Sequence, residues 1–145
     1  MAASAWTMFP RGRHHIGTET LSAGTYRLTL HKTAASTNLS ASGLTLFASI
    51  GNICTGGGLS ATALANIKWT AGASANISKW DCDDIVLTAS GSDITSVRFA
   101  VIRLSTGASE GKPICYAALS TAEFTVSTGN TLTIQLATTG IFTLT

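Results

Sequence analysis

The chain has 145 residues, a formal net charge of +2 and only 11% charged residues, against roughly 25% in an average soluble domain. That length suits a single domain with one continuous core and needs no metal or disulfide staples. No segment approaches the roughly 20 apolar residues of a bilayer span, and "MAASAWTMFPRGRHH" lacks the basic-then-apolar order of a signal peptide, so a soluble, cytoplasm-made protein with no membrane partner is expected. A Thr-rich surface this poor in charge points to membership of an assembly. The charge is also divided: residues 1–80 hold six Lys/Arg and one Glu, a net +5, and residues 81–145 hold three Lys/Arg and six acids, a net −3. Such halves favour head-to-tail contacts between copies or contact with a charged neighbour.

In chain order, residues 1–20 have weak periodicity and read as an N-terminal arm, with at most a turn or two of helix around Ala5 to His15, interrupted by Pro10 and Gly12. Residues 21–145 read as the β-domain. "TYRLTLH" alternates, placing Tyr26, Leu28 and Leu30 on a core face and Arg27, Thr29 and His31 on a wet one. "LTLFASI" (44–50) reads as a strand, "CTGGGLS" as a flexible loop, and "SATALAN" as a possible short helix. Strands are predicted at "ANIKW" (65–69), "DIVLTA" (84–89), "PICYAAL" (113–119), "EFTVS" (123–127), "TLTIQLA" (131–137) and "IFTLT" (141–145). In "SVRFAVIRLS", Val97, Phe99 and Val101 share one face and Ala100, Ile102 and Leu104 the other, which predicts a central strand covered on both sides. The turns "STGN" and "ATTG" make the last third a meander with Leu132, Ile134 and Leu136 inward, and Thr133 and Gln135 outward. The expected fold is all-β: a single antiparallel β-sandwich, or partly open barrel, of about eight or nine strands with an extended N-terminal arm.

Chemistry-bearing residues are few. Asp81, Asp83 and Asp84 crowd around Cys82, but a calcium loop needs alternating ligands, a Gly at the bend and a distant Glu. Asp81 and Asp83 are therefore expected to cap a turn while Trp80 and the apolar members of "IVL" enter the core. "CTGGGLS" lacks the Gly-Lys-Ser/Thr ending of a P-loop. The adjacent His14 and His15 diverge on either a strand or a helix and make a poor metal pair. Cys54, Cys82 and Cys115 are widely spaced and odd in number, which fits buried free thiols. Neither Cys82 nor Cys115 has a His nearby in sequence, and His31 is the only candidate outside the N-terminal segment. No catalytic, metal or cofactor site is expected. Arg11 and Arg13 with His14, His15, Trp6 and Phe9 are too few cations for nucleic-acid binding, but suit a strap that docks on a protein neighbour. Trp6, Met8, Phe9, Arg11 and Arg13 are its expected partner-binding residues.

The order of motifs in the second half resembles a family of small tailed-bacteriophage virion proteins. In that family a D-A-D-D-V-T-F-like stretch precedes an A-R-Y-A-V-I-Y-like strand and a T-G turn, followed by a P-L-I-A-Y-like strand, an N-G-x-F-T-I-x-W strand and a G-I-x-x-L ending. The matching residues are Asp81, Asp83, Asp84, Ala100, Val101, Ile102, Thr106, Gly107, Pro113, Ile114, Tyr116, Asn130, Thr133, Ile134, Gly140, Ile141 and Leu144. The likeness covers residues 77–145. In the first half, "LSAGTYRLTLHKT" and "CTGGGLSATAL" stand only loosely in the places of the family's first strand and glycine loop. Cys82 replaces an Ala, and Leu104 and Ser105 stand where the family tends to have Lys-Asp.

The resemblance implies a scaffold and not an enzyme: a capsid decoration or cement protein first, then a neck, tail or baseplate component. It implies oligomeric association with the major capsid protein or other virion proteins, and a place in the virion after synthesis in a bacterial host. A carbohydrate- or host-surface-binding module is the rival reading, for which Trp6, Trp69 and Trp80 would be exposed stacking platforms. A small hydrolase, the third reading, would need a Cys and a His within hydrogen-bond reach.

Overall fold

A computed structural model of the protein describes residues 3–9, 12, 25–71, 78–105 and 111–144. The fold is all-β, and every strand pairing among the described residues is antiparallel. Among the described residues there are twelve short strands rather than eight or nine, and no barrel closes. They are β1 (Thr7–Met8), β2 (Tyr26–His31), β3 (Thr62–Ala63), β4 (Lys68–Ala71), β5 (Ser78–Asp81), β6 (Ile85–Thr88), β7 (Ile94–Val97), β8 (Phe99–Leu104), β9 (Pro113–Ala118), β10 (Phe124–Val126), β11 (Thr131–Ile134) and β12 (Phe142–Leu144). The main sheet runs β1-β9-β8-β2-β3, beside the pairs β10-β7 and β11-β6 and the three-stranded sheet β12-β5-β4.

The predicted central strand is β8: all six side chains are buried, between β9 and β2. Burial of each large aliphatic side chain there stabilises the fold by about 1.5–3 kcal/mol. The face assignment needs one correction. Phe99 and Val101 face one apolar cluster, but Val97 belongs to the other. The run changes partners at Arg98, whose N–H donates to His31 O at 3.0 Å, and Ser96 before it adopts a positive φ of 60°. The pleat is broken there, so alternation does not carry across.

The two faces of β2 also differ from expectation. Tyr26, Leu28 and Leu30 enter the larger cluster, but Thr29 and His31 are buried as well, so the supposed wet face is covered. The cover is residues 33–50: a 3₁₀ turn at Thr33–Ala35, a four-residue helix at Ser36–Leu39 and a second 3₁₀ turn at Phe47–Ser49. "LTLFASI" is thus not a strand. Its buried residues Leu44, Phe47 and Ile50 lie three apart, the repeat of a 3₁₀ turn, while Leu46 points outward. They pack with Phe9, Ala35, Leu39, Phe99 and Val101 as a second core on the far side of the main sheet.

"SATALAN" forms β3 rather than a helix, and the last third is not a meander. β10 pairs with β7, β11 with β6 and β12 with β5, so each late strand reaches back to an earlier one. Leu132 and Ile134 are buried and Gln135 is exposed, while Leu136 and Thr133 are half-buried. Of "IVL", Ile85 and Leu87 are core but Val86 is 55% exposed.

The N-terminal segment departs most from expectation. Thr7–Met8 is extended, and residues 4–9 track β9 in reverse: Ser4 N–H donates to Ala118 O at 3.0 Å, Thr7 and Met8 pair with Tyr116 and Cys115, and Phe9 N–H donates to Ile114 O at 3.1 Å. A Cβ at Gly12 would stand 2.5 Å from Ile114 O, so only glycine permits this close approach to β9. The boundary between an arm at 1–20 and a domain from 21 is corrected over residues 3–9, which form an edge of the main sheet; residues 10, 11 and 13–20 lie outside the described residues.

Candidate functional site

The acidic stretch is the corner that carries the chain from β5 to β6, between two sheets. Asp81 Oδ1 accepts from Cys82 N–H at 3.0 Å, and Oδ2 pairs with Lys79 Nζ at 3.1 Å. Asp83 Oδ2 accepts from Asn66 Nδ2, and Asp84 Oδ1 accepts from Leu136 N–H at 3.0 Å. Each carboxylate thus holds a different neighbour instead of converging on one point. Trp80 beside them is fully buried, edge-on to Tyr26 at 4.9 Å. Among the described residues no group of three His, Cys, Asp or Glu side chains is placed to hold a metal ion.

All three cysteines are free and buried. Burial pushes the Cys54 thiol up to about 11; burial, then the charges of Asp81, Asp83 and Asp84, push Cys82 up to about 12; burial raises Cys115 well above the ordinary thiol range. These are protonated thiols near neutral pH, poor nucleophiles in their resting form. His31 is fully buried, with Nδ1 2.7 Å from Gly51 O and Nε2 3.0 Å from Thr29 Oγ1. A carbonyl only accepts, so Nδ1 carries the proton and Thr29 donates to Nε2. Burial lowers its pKa to about 4, the hydrogen bond to Gly51 opposing, so the ring is neutral at pH 7.

The glycine loop is packed against the β6–β7 turn. Gly57 N–H donates to Ser92 Oγ at 2.8 Å, Ser90 N–H donates to Gly57 O at 2.9 Å, and a Cβ at Gly57 would meet Ile94 Cγ1 at 2.3 Å. The loop's glycines serve close approach to the β6–β7 turn, and the Gly57 N–H is already engaged.

The expected partner-binding residues divide. Phe9 is fully buried within its own chain, its ring 5.0 Å from Tyr116, so its expected role as an anchor for a neighbour is corrected. Trp6 and Met8 are half-buried, and Arg11 and Arg13 lie outside the described residues. Trp6 lines a cleft of about 480 Å³ between residues 3–6 and the segment leading into β12, with Ile141 and Phe142 on the opposite wall. β1 ends the main sheet, and its outer edge has no strand partner among the described residues. An indole-lined cleft beside an open edge can receive an apolar side chain and a strand from a neighbour. No tryptophan is exposed: Trp80 is buried, and Trp6 and Trp69 are half-buried against the larger core.

Arg103 escapes a sequence reading. It is 4% exposed, on β8 directly opposite Arg27 of β2. Its only sequence signal is a cation inside a run that is apolar on both faces. No protein-family model, curated protein or solved structure matches the chain.

Proposed function

We propose that the chain is a non-enzymatic structural protein of a tailed-bacteriophage virion, a decoration or cement protein that binds the assembled capsid as an oligomer and staples neighbouring capsomers. The observation that carries this reading is that the residues shared with the phage pattern are strand and corner positions. Asp81, Asp83 and Asp84 hold the β5–β6 corner; Ala100, Val101 and Ile102 are fully buried in β8; Pro113 and Ile114 are buried at the start of β9. A Cβ at Gly140 would lie 2.6 Å from Trp80 O, and Ile141 N–H donates to that carbonyl at 2.8 Å. Residues that keep a scaffold in shape, with its polar groups engaged in holding that shape, suit a protein whose product is contact.

A binder that recognises only the assembled lattice stabilises it by mass action, and many weak copies act together by avidity. The cleft at Trp6 and the β1 edge are the surface assigned to the major capsid protein or another virion protein. The stacking platforms that a carbohydrate-binding module wants are half-buried or buried here, so that reading has less support. Co-sedimentation of purified protein with particles lacking it tests the proposal: Trp6→Ala is expected to reduce binding at least about tenfold, the scale of an interfacial aromatic anchor. Undiminished attachment would remove the cleft from the interface, and failure of the unmodified protein to bind would count against the virion role.

A further inference from the structure

Arg103 is a buried cation whose needs the described residues do not meet. Its guanidinium lies over the Phe47 ring, 4.4 Å from the centroid. A ring face attracts the charge but offers no acceptor to donors that lie in the guanidinium plane. Arg103 Nε and Nη1 have no hydrogen-bond partner among the described residues, and neither has Arg27 Nε. Arg27 Nη1 donates to Ala61 O at 3.4 Å, and neither arginine forms an ion pair among the described residues. Like charges directly opposite on antiparallel strands repel, and a buried charge without a counter-charge is costly.

Beside Arg103 is a partly enclosed cavity of about 190 Å³, with Arg103, Thr29 and Ser60 as its polar lining and otherwise mostly apolar walls that include Phe47 and Ala61. It exists because β3 pairs only with Arg27 and Leu28, and the next bridge on that edge of β2 joins His31 to Ile53. Between those contacts the edge faces the 54–61 loop instead of a strand. The Thr29 hydroxyl donates to His31, so Arg103 is the cation in the cavity wall, with Ser60 at the rim, while Arg27 stands opposite Arg103 on β2 and outside the lining.

We propose that this cavity binds an oxyanion, a carboxylate or phosphate group, as the counter-charge of Arg103. Inorganic phosphate and the acidic side chain of a neighbouring protein present the same chemistry to such a site. The inference stands on this chain alone, independent of any role in a virion.

The test follows the unfolding midpoint of the full chain while sodium phosphate or sodium acetate replaces chloride at constant ionic strength. A rise of about 3–6 °C is expected at tenfold excess over Kd, and none in Arg103→Met. A rise with phosphate alone supports the free anion as ligand; a rise with acetate supports a carboxylate, the group of an acidic side chain. No rise in the unmodified protein with either anion, or an equal rise in Arg103→Met, overturns the proposal. If Arg103→Met does not fold, Ala61→Phe obstructs the cavity and keeps the charge: loss of the rise supports the site and retention overturns it. Glu110→Gln guards against a counter-charge from the same chain. A fall in midpoint in the native background that vanishes beside Arg103→Met would also overturn the proposal.

Discussion

Phe9 packs its ring 5.0 Å from Tyr116, and through that contact the N-terminal segment closes the second core. The same backbone that was expected to wait for a partner holds β9 with hydrogen bonds at Ser4 and Phe9. Phe9→Ala is expected to cost about 3 kcal/mol of folding stability, within the range for large-to-small changes at buried aromatics. Deletion of residues 1–15 should cost at least as much, because the edge pairing goes too. Urea unfolding monitored by tryptophan fluorescence gives both values, and a deletion that leaves the midpoint unchanged would mean that the edge contributes nothing.

His31 sets an acid limit on stability. Its folded pKa, about 4, lies below the ordinary 6.5, so the unfolded chain takes the proton first. The stability it lends is fully present above pH 6.5, is lost as pH falls toward 4, and levels off below; the loss is about 3 kcal/mol. Asp93 and Glu123 act lower on the scale: hydrogen bonds from Thr128 and Thr33, respectively, hold them below their ordinary 3.8 and 4.5. Their contribution is present above those ordinary values and is lost as pH falls below them. Stability measured from pH 7 to 4 should therefore decline, and the decline should flatten in His31→Gln.

Val101→Asp places a carboxylate in β8 where the native side chain is fully buried, and is expected to cost more than about 3 kcal/mol or to abolish folding. Val86→Asp on β6, at a 55% exposed position, should stay within about 0.5 kcal/mol. Comparable losses of soluble yield in the two variants would contradict the face assignment.

Much of this layout is legible in the sequence where a signal is local. Alternation locates β2, β6 and β11, and the doubly apolar run locates β8. Trp80 and its acidic corner follow from turn chemistry. What the sequence hides is non-local. Period two and period three coincide over "LTLFASI", so a cover of 3₁₀ turns imitates a strand. Short turns imply hairpins, yet β10, β11 and β12 find partners about 30 to 65 residues away. The doubly apolar run predicts cover on both sides of β8, but nothing near Arg103 in sequence announces that residues 33–50 supply it on that face.

The β5–β6 corner should be insensitive to chelation, because Asp81, Asp83 and Asp84 each bind a different protein partner. A strong chelator is expected to leave the thermal midpoint unchanged. Asp84→Ala should cost about 1–2 kcal/mol through the lost acceptor for Leu136 N–H. A large fall in chelator would mean that the corner is a cation site.

The central claim, a proposed virion structural role, is tested most directly by counting this chain against the major capsid protein in tailed-phage particles purified from cells that carry its gene. The decoration reading predicts on the order of hundreds of copies per particle, as the symmetry of a shell requires, whereas about six to twelve copies would place it in a neck or tail ring. Its absence from purified particles would contradict the account.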